Sequence, residues 1–136
     1  MEGKPSTADF LVGPLIGEGS FAHVYFGKHK QTSRRVAIKV IDQVTVRKNP
    51  KVLKAILQEQ TLLSTKLHGL DCVARLGCSF YDSNCLYLIL DLCEGGDLQY
   101  LIHSRAISRL DSKWIASIPR YLTQIQQAID AVHSLD

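Results

Sequence analysis

No stretch of this chain approaches the roughly 20 consecutive apolar residues that a membrane-spanning helix needs. Met1 to Asp9 hold no apolar segment for a secretory leader, and Glu2 stands where N-myristoylation requires a glycine. The expectation is a cytoplasmic chain with no membrane span. Basic residues exceed acidic ones by only 16 to 13. Arg34, Arg35, Arg47, Lys48, Lys51 and Lys54 are scattered, with no compact run to neutralise a phosphate backbone, so nucleic acid is not expected as a partner. Cys72, Cys78, Cys85 and Cys93 lack C-x-x-C spacing. That argues against zinc and leaves them as reduced, buried thiols of an intracellular protein. No internal repeat or low-complexity tract is present either. At 136 residues, 46% of them hydrophobic, the chain is long enough to bury a core without staples.

What is present is concentrated near the start. Gly17-Glu18-Gly19-Ser20-Phe21-Ala22-His23-Val24 forms a glycine turn, and about twenty residues later Val36-Ala37-Ile38-Lys39 places a lysine in an apolar strand. Glycines let a backbone approach polyphosphate without side-chain clash and offer it amide hydrogens. Phe21 at the loop tip can fold back over a ligand, and Ile16 and Val24 flank the turn as an apolar roof for a flat base. The turn alone also fits an ordinary hairpin. Lys39, flanked by Val36, Ala37, Ile38, Val40 and Ile41, needs an anion close by if it is buried. An edge lysine reaching solvent is the alternative. Its expected partner is Glu59, in the middle of the next helix among Ile56, Leu62 and Leu63.

The hydrophobic pattern predicts strands at Phe10 to Ile16, Ala22 to His29 and Val36 to Ile41, the first at a sheet edge because Pro14 cannot donate a hydrogen bond. In the third strand Ala37, Lys39 and Ile41 share one face, and Val36, Ile38 and Val40 the other. Asn49-Pro50 precedes a helix over Lys51 to Leu67, which Gly69 stops. Cys72 to Phe80 and Cys85 to Leu92 read as a hairpin whose second, nearly all-apolar strand is central. Glu94-Gly95-Gly96 reads as a hinge, and Asp97 as the cap of a short helix through His103. A last helix runs to the end, its regular part starting near Ser117 because Pro119 fits only a first turn.

Together, Ile16 to Val24, Val36-Ala37-Ile38-Lys39, Glu59 and Leu86-Tyr87-Leu88-Ile89-Leu90-Asp91-Leu92-Cys93-Glu94-Gly95-Gly96-Asp97-Leu98 resemble the small lobe and hinge of eukaryotic protein kinases. Within these the chain looks most like the serine/threonine AGC group, nearest the phosphoinositide-dependent protein kinase. The resemblance implies an α+β fold: a five-stranded antiparallel sheet with one main helix, then the first helices of an incomplete large lobe. It divides the chain into a tail (1–9), small lobe (10–92), hinge (93–97) and partial large lobe (98–136). It implies ATP and magnesium as cofactors and a protein hydroxyl as acceptor of the gamma phosphate. By the same resemblance Lys39 binds the alpha and beta phosphates and Glu59 holds it, while Gly17, Glu18, Gly19, Ser20, Phe21 and Ala22 cover them. Ile16, Val24, Ala37 and Leu92 sandwich the adenine and Leu90 stands beside it. The backbone of Asp91 and Cys93 bonds its edge, and Asp97 reaches the ribose. Leu63 and Leu76 match positions stacked between helix and sheet.

Two departures stand out. Ala22 replaces a third glycine, and the residues end at His133-Ser134-Leu135-Asp136, before any H-R-D-x-x-x-x-N loop or D-F-G. Neither a catalytic base nor a complete magnesium site is expected among these residues, and a non-catalytic nucleotide-binding or scaffolding module is the alternative function. In AGC kinases a groove beside the main helix receives a hydrophobic tail peptide. Val46, Leu53, Ile56 and Leu57 are the corresponding candidates, with ordinary packing as the alternative. The Ser104 to Ile118 segment is longer than the family norm and has no assigned role.

Overall fold

A computed structural model describes residues 4–106 and 112–134. Alternating apolar residues form five strands, β1 (Phe10–Glu18), β2 (Ala22–His29), β3 (Arg35–Asp42), β4 (Leu76–Tyr81) and β5 (Cys85–Asp91). They make one antiparallel sheet in the order β1-β2-β3-β5-β4, so β1 lies at an edge and β5 is interior, as their sequences require. Pro14 falls in a register shift between Val12 and Leu15, where a missing N–H costs no ladder bond.

The period-two pattern of β3 divides the core between the two faces of the sheet. Ile41 packs with Leu76, Leu88, Val46 and Ile56 on the side that carries the helices. Val36 and Ile38 pack with Phe10 and Ile89 on the other, extended by the stacked rings of Phe80 and Tyr87, whose centroids lie 5.1 Å apart. Gly27 is required there, because an added Cβ would stand 2.6 Å from Ile38 Cγ1. The α+β arrangement expected from the sequence is the observed one.

Two helices precede β4. The first, α1 (Gln43–Arg47), was not expected; the Val44 N–H donates to Asp42 Oδ1 at 3.2 Å, a cap that Asp42 could have signalled. The second, α2 (Pro50–Thr61), starts where Asn49-Pro50 predicts: Asn49 Oδ1 accepts from the Lys51 N–H at 3.2 Å. It ends as an α-helix six residues before Leu67. Leu62–Lys66 continue as a wider π-type turn closed by Leu67 N–H to Leu62 C=O, and Gly69 follows at φ +95°. The fourth strand begins at Leu76, not Cys72, because 71–75 are turns and extended chain.

The chain forms two compact units, Met1–Leu70 with Ala74–Leu92, and Asp71–Val73 with Cys93–Asp136. In the second unit α3 (Leu98–Ala106) begins after Asp97, whose Oδ1 accepts the Tyr100 N–H at 2.6 Å. Helix α4 (Ser112–His133) starts five residues earlier than Ser117 and keeps Pro119 inside it. The donor missing at Pro119 leaves the Ile115 carbonyl without its helical partner, a loss that water offsets where the helix is exposed. Part of the unassigned Ser104 to Ile118 segment lies outside the described residues. None of the helices, searched over the described residues, is long and apolar enough to cross a membrane. The four cysteines are free, but the expectation of burial fails: Cys72 and Cys93 are exposed, and Cys78 and Cys85 only half-buried. Three of the four lie at strand ends or in connections, where no core covers them.

Candidate functional site

The register of the sheet aligns four residues across its strands. Gly17 of β1 faces Val24 of β2, Val24 faces Lys39 of β3, and Lys39 faces Leu88 of β5. Directly opposed residues point to the same side, so Val24 and Lys39 share the face on which α2 packs. Two residues along the same face, Ala37 stands opposite Leu90. Ala37 is buried, Val24 and Leu90 half-buried, and Ile16 is exposed near the end of β1.

Glu59 reaches this face from α2. Ile56, one turn earlier, is buried in the core, and that contact turns the Glu59 position toward the sheet. Lys39 Nζ donates to Glu59 Oε1 at 2.7 Å and to Oε2 at 2.9 Å. The lysine side chain is 22% exposed and the glutamate 40%, so the pair is partly withdrawn from water and its hydrogen bonds are charge-assisted. An ammonium has three N–H donors. Two meet the carboxylate, and one is left for another anion.

The glycine segment is a tight hairpin. Gly17 and Glu18 belong to β1, so the turn proper is Gly19-Ser20-Phe21, closed by Gly19 N–H to Ala22 C=O at 2.8 Å. His23 Nε2 lies 3.4 Å from Glu18 Oε1 across its base. Neither Gly17 nor Gly19 has a positive φ. A Cβ would meet Val24 at 3.6 Å in one case and the Ala22 carbonyl at 3.7 Å in the other, which is ordinary contact. The fold thus demands glycine at position 27 but not at 17 or 19, where open space above the backbone is what a side chain would take. Ser20 and Phe21 are exposed at the tip.

At the far end of β5, Asp91 sits in a network that its sequence position did not announce. Its Oδ1 accepts from Arg34 Nη2 at 2.6 Å, and its Oδ2 from Arg75 Nε at 3.2 Å and the Arg75 N–H at 3.4 Å. The Asp91 N–H in turn donates to the Arg75 carbonyl at 3.0 Å. Desolvation pushes this carboxyl up, but the Arg75 N–H and the two guanidinium groups outweigh it and hold it below its ordinary value. Arg34 lies 57 residues from Asp91 in sequence, so no local signal could have paired them.

Cys93 and Asp97 belong to the second unit, Cys93 exposed and Asp97 capping α3. Leu76 belongs to the core cluster with Ile41, Val46, Ile56 and Leu88, and Leu63 packs against that cluster. Of the docking candidates, Val46, Leu53 and Ile56 line a hollow of about 240 Å³ with Tyr81 and Leu86, but Val46 and Ile56 are already buried and Leu57 is not part of the lining. No group of three or more His, Cys, Asp or Glu placed to hold a metal occurs among the described residues.

Residues 10–136 match the family model described as protein kinase domain. Among curated relatives, the hormonally up-regulated neu tumor-associated kinase of Mus musculus is 34% identical over 92% of this chain and 17% of its own length. The serine/threonine-protein kinase ATG1a of Arabidopsis thaliana is 37% identical over 72% of the chain and 15% of its own length. The CBL-interacting serine/threonine-protein kinase 10 of the same plant is 32% identical over 98% and 26%. The chain thus spans a quarter or less of the length of the first two and about that of the third. These relatives lie outside the AGC group, so the narrower likeness drawn from the sequence is unsupported, and the tail-peptide groove that rested on it loses its ground.

Proposed function

The chain belongs to the protein kinase domain family, and we propose that it is the ATP-binding part of a serine/threonine kinase that transfers the gamma phosphate to a protein hydroxyl. The observation that supports this best is the two-bond contact of Lys39 with Glu59, on the sheet face and in the register row that begin at the glycine hairpin. In this reading the free N–H of Lys39 bonds the alpha and beta phosphates, and Glu59 holds the ammonium so that binding costs no reorganisation. The hairpin from Gly17 to Ala22 lies over the phosphates, with no side chain at Gly17 or Gly19 to hold a ligand off the backbone.

Ile16, Val24 and Ala37 enclose the adenine, Leu90 stands at its edge, and the Asp91 carbonyl accepts from its amino group. The backbone of Cys93 and the carboxylate of Asp97 are assigned to the base edge and the ribose by family likeness. Magnesium, when bound, neutralises the phosphates. The described residues offer it no ligand cluster, and no step of this reading runs through it. In the non-catalytic reading the same contacts hold nucleotide without transfer.

Lys39→Met tests the assignment. In the full-length protein it should abolish phosphoryl transfer while the thermal unfolding midpoint stays within a few degrees, because the abandoned Glu59 is 40% exposed and can be hydrated. Activity within a few-fold of wild type would show that the phosphate assignment is wrong. A wild-type protein that binds ATP but transfers nothing would favour the non-catalytic module.

A further inference from the structure

Asp91 ends β5, and it is anchored from both neighbouring parts of the sheet. Arg34, in the connection leading into β3, takes one carboxylate oxygen, and Arg75, immediately ahead of β4, takes the other with its guanidinium and its N–H. The main chain adds a fourth bond, Asp91 N–H to Arg75 C=O. Both arginine side chains are more than half exposed, at 61% and 56%, where isolated ion pairs contribute little to stability. The network therefore serves geometry better than it serves stability. What it immobilises is a single peptide unit at the end of an interior strand. The Asp91 N–H is committed to Arg75, so a main-chain contact of that residue with a ligand runs through its carbonyl.

We infer that Arg34 and Arg75 are positioning residues for purine recognition: by clamping the Asp91 carboxylate from two sides, they aim its carbonyl at the exocyclic amino group of adenine. This rests on the nucleotide reading above. An acceptor held in place beforehand forms its hydrogen bond without an ordering cost, whereas a freed one must be ordered by the ligand. The clamp should thus matter only for a base that carries the amino group. A purine with hydrogen in its place gives the carbonyl nothing to bond.

The test compares equilibrium binding of ATP and of purine riboside triphosphate, which lacks the 6-amino group, to the full-length wild type and to Arg34→Gln, Arg75→Gln and Arg34→Lys. One hydrogen bond of ordinary net strength corresponds to about three- to tenfold in affinity. Each Gln variant should weaken ATP by about that factor and the amino-free nucleotide by less than about twofold. Arg34→Lys, which keeps the charge and an N–H donor for the carboxylate, should recover part of the loss. Hydrogen exchange at the Asp91 amide should quicken in both Gln variants, a readout independent of any nucleotide. Equal weakening of both nucleotides, or no change in either, would overturn the inference while leaving nucleotide binding intact. A wild type that binds neither nucleotide would overturn the nucleotide reading, and the inference with it.

Discussion

A lysine and a glutamate twenty positions apart meet at 2.7 Å because each is placed by a different periodicity, two residues in β3 and 3.6 in α2. Both periods are local properties, so the pair was legible in advance. Asp91 was not, since its partners come from two other connections. Its chemistry leads to a pH prediction. The folded-state carboxyl lies below its ordinary value of 3.8, so it stabilises the fold above the unfolded value and that contribution is lost as pH falls through the folded one. Denaturant midpoints measured from about pH 5 down to about pH 2 should fall more steeply for wild type than for Asp91→Asn, which has no proton to gain there. Parallel curves would mean that the network carries no charge-dependent stability. The cysteines illustrate the opposite case. Their apolar neighbours in sequence suggested burial, yet which strand ends are covered depends on elements distant in the chain.

At the scale of elements, capping residues were the most reliable guide. Asn49-Pro50 and Asp97 mark the starts of α2 and α3, since a side-chain acceptor for an orphan N–H is a requirement internal to one turn. Asp42 carries the same signal for α1. Proline is a weaker guide: Pro119 in a first turn places the start of the regular helix near Ser117, but α4 starts at Ser112 and runs through Pro119, whose carbonyl accepts from Thr123 Oγ1 at 2.9 Å. Because α2 carries Glu59, its N-terminal cap is coupled to the site. Asn49→Ala should cost about 1 kcal/mol of stability, the usual value of such a cap. It should also weaken nucleotide binding modestly by loosening the helix that steadies Lys39. Denaturant unfolding and nucleotide titration of the same variant would check both, and an unchanged unfolding midpoint would show that Pro50 alone starts the helix. The π-type turn after α2 has no such sequence mark. It carries Leu63, which packs against the core cluster of Ile41, Val46, Ile56, Leu76 and Leu88, a choice made by packing.

For the molecule as a whole, the apolar stripe on α4 is the main concern. Ile115, Ile118, Leu122, Ile125, Ile129 and Val132 recur at spacings of three and four and are all exposed. The chain alone should therefore be poorly soluble or oligomeric, and light scattering at micromolar concentration should show it. Ile125→Glu with Ile129→Glu should shift the population toward monomer; a clean monomer in the unaltered chain would contradict the prediction. Spacing of apolar residues, turn residues and caps determined from the sequence alone roughly where the five strands and α2, α3 and α4 form, that β1 suits a sheet edge, and on which face of its own element Lys39 and Glu59 each lie, because each depends on interactions within a few residues. The antiparallel five-stranded sheet is what the family resemblance implies. Only the tertiary structure decided which arginines clamp Asp91, where β4 begins and which thiols stay exposed. Those outcomes depend on which distant segments come into contact, and neighbouring residues do not encode that choice.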